Sequence, residues 1–225
     1  MPDLAYKDFF DPVHDPDSSP RVVKIYRNQF PELYQANERG ELKTSDGYAV
    51  ILKGDTLITY KRAIKRIYGK YFGELDPATQ DDILSMVGTY SCTSLKQIRF
   101  SDGKGIVNNH QLGNMMPFPS SMPSMNMLRA GTYYDYFDRF LADVRSYYVN
   151  PTGFQPASKL QVAIQRQNGY FDFFKTYDRY IEQNLLQDFV GKDLWSITDF
   201  REYVQVANEI IDSRGKRFTV SERPN

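Results

Sequence analysis

Between Tyr170 and Phe189 bulky apolar side chains recur so densely that a helix formed there must be buried. Tyr170, Phe171, Phe173, Phe174, Tyr177, Tyr180, Ile181 and Leu185 cover nearly half of a helical circumference. An arc this wide cannot face water, so the stretch predicts the central, most buried helix of the domain. Asp178 falls inside the arc, and burying an unpaired carboxylate is costly, which predicts a partner such as an arginine. The wider chain carries 17 Tyr and 15 Phe against one Trp, so the core is expected to be built on rings.

Other segments order themselves around that helix. Glu41–Thr44, Ser45-Asp46-Gly47 and Tyr48–Lys53 read as a hairpin, because Asp-Gly supplies the positive φ angles of a tight turn. Tyr60 to Phe72 reads as an amphipathic helix with Lys61, Arg62, Lys65, Arg66 and Lys70 opposite its apolar face and no acid among residues 60–72. Asp76-Pro77 is a helix start, and a strand is expected at Lys96 to Phe100. Further helices are expected at Ser124 to Arg129, Tyr133 to Val149 and Leu160 to Gln167. A last one, capped by Thr198, should bury Phe200, Tyr203, Val204, Ala207, Ile210 and Ile211. The fold class that follows is α+β: a predominantly α-helical single domain over 23–218 with a small antiparallel β-hairpin or sheet. Residues 1–22, with four prolines among five aspartates, predict an extended arm, and 219–225 a flexible tail.

Composition narrows the function. With 28 basic and 28 acidic side chains the net charge is zero, which argues against a global partnership with nucleic acid and leaves the basic helix 60–72 as the local surface for one. Cys92 stands alone, so neither an intramolecular disulfide nor a cysteine-cluster metal site is expected. No apolar run suggests a membrane span, and Met1–Phe10 has neither a signal nor a transit pattern, so the expected location is cytoplasmic.

The chemistry concentrates in His110-Gln-Leu-Gly-Asn-Met-Met-Pro-Phe-Pro119, followed by Asn126-Met-Leu-Arg129 and Tyr134-Asp-Tyr-Phe-Asp138. Arg129 offers a bidentate fork to a phosphate or carboxylate, Asn114 and Asn126 offer polar edges, and His110 offers an acid or base. Asp135 and Asp138 lie three apart near a helix amino end, on its polar side. The candidate site is therefore His110 as catalytic group, with Asn114, Asn126, Arg129, Asp135 and Asp138 binding ligand. No metal site and no cofactor are expected.

This run, with Gly169-Tyr-Phe-Asp-Phe-Phe174 and Leu186-Gln-Asp-Phe189, resembles a family of bacterial and phage-associated proteins of unknown function over roughly residues 40–215. The resemblance implies a single α+β domain in which Gly113, Asn126, Arg129 and Asp138 recur. His110-Gln-Leu-Gly-Asn-Met115 is also similar to one piece of the histidine–metal-finger nucleases, although the Asp-His step they place upstream is missing here. Three functions stand as expectations: a site for a small anionic, nucleotide-like ligand around His110, Asn114 and Arg129; a divergent nuclease; and a module that offers its basic helix or Met-rich segment to a protein partner.

Overall fold

The computed structural model describes residues 20–58, 60–69, 72–87, 112–120, 135–150, 153, 155–156 and 159–218. Among them run α1 (Pro20–Gln29), α2 (Pro31–Glu38), β1 (Ile51–Thr56), α3 (Lys61–Ile67), α4 (Pro77–Val87), β2 (Met115–Ser120), α5 (Phe137–Val149), α6 (Lys159–Arg166), α7 (Asn168–Phe174), α8 (Tyr177–Gln183) and α9 (Phe200–Gly215). Short 3-10 turns occupy Phe72–Glu74, Leu112–Asn114 and Gln187–Phe189. This is the mainly helical α+β architecture that the periodicity predicts. The expected strand at 96–100 and helix at 124–129 lie outside the described residues.

α9 is the axis. All six apolar positions expected to face inward are buried, and its flanks meet α3, α4 and the turns at 112–114 and 187–189. Its cap is Asp199, one residue after the expected Thr198; the Asp199 carboxylate accepts the Glu202 amide at 2.9 Å. Asp76 caps α4 as its Asp-Pro step predicts, accepting the Thr79 amide at 3.0 Å.

The aromatic stretch 170–189 is one buried layer but not one helix. Lys175 takes a positive φ of 66°, and the Thr176 hydroxyl then accepts the Arg179 amide, opening α8 in a new direction. Side-chain capping competes with helix continuation at such a threonine. The bend brings rings together from two helices: Phe174 and Tyr180 meet edge to face with centroids 5.1 Å apart, and Tyr170 lies 5.3 Å from Phe174. It also turns Asp178 out of the apolar arc to an exposed position in the first turn of α8, correcting the expectation of a buried, paired carboxylate.

The Asp-Gly turn forms where expected, with Gly47 at φ 82° and a bridge between Lys43 and Ala49. It is pinned from outside. The Ser45 amide donates to the Arg166 carbonyl, the Gly169 amide donates to the Lys43 carbonyl, and a Cβ at Gly169 would lie 2.2 Å from that carbonyl oxygen. The hairpin does not extend into a ladder, however. β1 begins at Ile51 and pairs antiparallel with β2, in register from Ile51 opposite Ser120 to Thr56 opposite Met115. β2 contains Pro117 and Pro119, residues that strands tolerate only at an edge. In a strand, residues two apart direct their N–H and C=O groups to the same side, so both prolines can turn that side away from β1. The Pro117 carbonyl on the outer side is taken by the Tyr170 hydroxyl at 3.0 Å.

Candidate functional site

The stretch Leu112–Met116 is buried throughout. Gly113 lies against the last turn of α9 so closely that a Cβ would stand 2.0 Å from the Ile211 carbonyl oxygen and 2.8 Å from the Gly215 nitrogen. Only a residue without a side chain fits there. Next to it, Asn114 is 1% exposed and behaves as a strand partner. Its Oδ1 accepts the Ile58 amide at 2.9 Å, its Nδ2 donates to the Ile58 carbonyl at 2.8 Å, and its own carbonyl accepts the Leu57 amide at 2.7 Å. The side chain thus extends the β1–β2 pairing beyond the sheet.

Arg214 closes this knot. It lies on the apolar face of α9 with no exposed surface, and its guanidinium donates to four carbonyls: Leu112 at 3.3 Å, Gly113 at 2.8 Å, Met115 at 2.7 Å and Asn184 at 3.1 Å. Phe218 covers it, 5.0 Å from guanidinium carbon to ring centroid. Burial pulls its pKa down to about 10, so it stays charged at neutral pH. Among the described residues no carboxylate pairs with it; carbonyl dipoles hold the charge.

Asp135 is also internal. At φ 77° and with no exposed surface, it directs its carboxylate at the start of α3, where the Arg62 amide donates at 2.6 Å and the Ala63 amide at 3.4 Å. A carboxylate from a distant segment thereby supplies the cap that Tyr60, in a left-handed conformation, cannot. Asn114 and Asp135 hold opposite ends of the connection from β1 to α3. Asp138 faces elsewhere. Its Oδ2 accepts the Leu194 amide at 3.1 Å, while no described residue donates to Oδ1, and burial raises its pKa above the usual carboxylate value. His110, Asn126 and Arg129 lie outside the described residues.

Beside Asp138 the surface carries a group that the sequence reading passed over. Trp195, the only tryptophan, is 40% exposed and meets Tyr136 edge to face at 4.8 Å. The Arg66 guanidinium lies 5.5 Å from the Trp195 ring and 5.3 Å from the Tyr136 ring, and that of Arg139 lies 6.0 Å from Trp195. Arg66 is held by neutral acceptors, the Tyr136 hydroxyl at 2.6 Å and the Ile197 carbonyl, so among the described residues no carboxylate cancels its charge. Arg139 makes an exposed ion pair with Asp193 at 3.5 Å. Burial raises the Tyr136 phenol pKa and Arg66 opposes the shift. One turn before Arg66, Arg62 is exposed, as is Lys65. The expected basic helix is therefore shorter than read, Lys61–Ile67, and one of its cations is built into an aromatic platform.

Arg214 left a trace in the sequence, standing on the Tyr203, Ala207 and Ile210 stripe where an apolar residue would be expected. Trp195 left only its singularity. Among the described residues no three His, Cys, Asp or Glu side chains could hold a metal ion together, and no helix is long and apolar enough to cross a membrane.

A family model described as "Family of unknown function (DUF6994)" matches residues 93–218, more than half of the chain. It takes in Gly113, Asn114, Asp135, Asp138, Trp195 and Arg214 and leaves out α1 to α4. No curated protein and no solved structure matches the chain.

Proposed function

The chain belongs to this family of unknown function, and we propose that it serves as an interaction module whose recognition face is Arg66, Arg139 and Trp195, set on the buried Tyr136 ring, with an acidic protein segment as the partner. The observation that carries the reading is Arg66, a guanidinium held rigidly by neutral groups beside an exposed indole. Tryptophan, tyrosine and arginine are the residues that dominate binding energy at protein interfaces. Here the tryptophan and Arg66 are held in place before any partner arrives by the Tyr136 ring buried against them, which lowers the entropic cost of association. A carboxylate meeting Arg66 would complete a charge that the fold leaves open, and the exposed Arg139–Asp193 pair contributes little and exchanges readily. Asn114 and Asp135, expected to bind ligand, are engaged inside the protein, so the reading moves from the His110–Arg129 segment to this surface.

Trp195 makes the test direct, because all tryptophan fluorescence reports on this face. The chain is titrated with a Glu/Asp-rich peptide, oligo(dT), ATP and inorganic phosphate at low salt. The expected result is a saturable emission change with the acidic peptide that Arg66→Gln abolishes. A response to oligo(dT) or ATP but not to the peptide would transfer the face to a nucleotide-like anion. No response from any probe would remove it as a recognition face.

A further inference from the structure

On the side of the domain formed by the α1–α2 junction and the ends of α7 and α8, a cavity of about 280 Å³ opens between Phe30, Leu33, Phe173, Phe174 and Leu185. We infer that it is a binding site for a small organic cation, an ammonium or guanidinium group on an aromatic or hydrocarbon body. Its size is near the lower end of ligand pockets, about 300–1,000 Å³. The floor is apolar, and the charged side chains that line the cavity, Glu32 and Glu182, are both acidic.

Both acids are exposed at the rim, with Gln29 and Gln183 beside them. A guanidinium beside them, Arg179, is already engaged. It lies 3.6 Å from Glu32, and with the Gln183 amide turned so that its oxygen faces it, Arg179 Nε donates there at 3.0 Å. Glu182 has no ion-pair partner among the described residues. Among the residues that line the cavity no cation stands against Glu182.

Backbone electrostatics points the same way. Three of the helices that reach the cavity do so with their last turns: α1 ends at Gln29, α7 at Phe174 and α8 at Gln183. The aligned peptide dipoles make the last turn of a helix favour cations. The carbonyls of Tyr26, Asp172, Phe174, Tyr180, Ile181 and Glu182 already accept backbone amides, so the contribution here is that of the dipoles and not of free acceptors. The fourth, α2, arrives with its first turn, where Glu32 offsets the opposite partial charge. A backbone feature accompanies the site: Leu185 lines it at φ 57°, a region that branched side chains seldom adopt and that recurs at ligand clamps. An anionic or neutral molecule of the same shape would gain the apolar contacts and forgo the charge, so discrimination by charge is the signature of the site.

The test uses three probes of nearly one shape on the full chain: phenethylamine, 2-phenylethanol and 3-phenylpropionate, followed by amide chemical shifts. Phenethylamine is expected to bind saturably, with shifts at Phe173, Gln183 and Leu185, and several-fold more tightly than 2-phenylethanol; 3-phenylpropionate should not bind. Glu182→Gln, at an exposed position, should keep the melting temperature and lose the preference for the amine, while Glu182→Lys should reverse it toward 3-phenylpropionate. Equal binding of amine and acid by the wild type, amine affinity unchanged in Glu182→Gln, or no saturable shift from any probe would overturn the assignment. Trp195 emission stays constant in this titration, which separates the result from that for the Arg66 face.

Discussion

Replacing Arg214 by methionine keeps the unbranched apolar stem of the side chain and removes the five N–H donors of its guanidinium from a fully buried site. Four carbonyls, those of Leu112, Gly113, Met115 and Asn184, lose the guanidinium that satisfies them. Each buried acceptor left unpaired costs about 1–3 kcal/mol. Against that sum stands the desolvation of the guanidinium, several kcal/mol that the variant no longer bears. The balance is a loss of about 3–5 kcal/mol, the range seen when one side of a buried charged network is removed. Arg214→Lys should fall between wild type and methionine, since one ammonium has three donors and cannot span the carbonyls of 112–115 and of Asn184 together. Urea unfolding, followed in parallel by Trp195 emission and far-ultraviolet circular dichroism, measures all three proteins. A methionine variant within about 1 kcal/mol of wild type, less than the cost of one unpaired acceptor, would refute the claim that this network holds the segment in place.

Two further perturbations test neighbouring parts of the account. Gly113→Ala sets a methyl against backbone atoms rather than a flexible side chain, so it should cost at least the roughly 1–3 kcal/mol of ordinary overpacking and lower the urea midpoint accordingly. Asp138→Asn should be neutral to stabilising at pH 7, because burial raises the folded pKa above the unfolded value. In that window the folded state binds more protons, so the wild type loses stability relative to the variant as pH rises from below the ordinary carboxylate range through the raised value. Denaturation midpoints of the two proteins at pH 4 and pH 7 read the difference.

Much of the fold is written in local pattern. The α9 stripe, the Asp76-Pro77 cap and the Asp46-Gly47 turn each depend on neighbours within a few residues, and each forms as its spacing predicts. What pattern does not carry is pairing between distant segments. β2 hides behind two prolines because a strand paired on one side tolerates them, as β2 is among the described residues, and its partner stands some sixty residues earlier. The break at Lys175 depends on ring packing between α7 and α8, which a single helical wheel through 170–189 cannot represent. The candidate site shows the same division. Gly113 and Asn114 stand out in the sequence because they are chemically particular, but the particularity serves close packing against α9 and pairing with Ile58. Polar residues in a dense motif signal constraint, and constraint from the fold looks the same in sequence as constraint from a ligand. Trp195 and Arg66, which carry the recognition face proposed here, lie far apart along the chain and become neighbours only after folding.

The central claim is that Leu112–Phe118 is a structural knot in the free protein and not a ligand loop. Hydrogen–deuterium exchange by mass spectrometry tests it directly. Peptides covering 112–118 should exchange in the slowest class, together with 203–214, with no ligand present and no further slowing by ATP or phosphate. Fast exchange of 112–118 in the free protein, slowed only when one of these anions is added, would contradict the account and return the site to the His110–Arg129 segment.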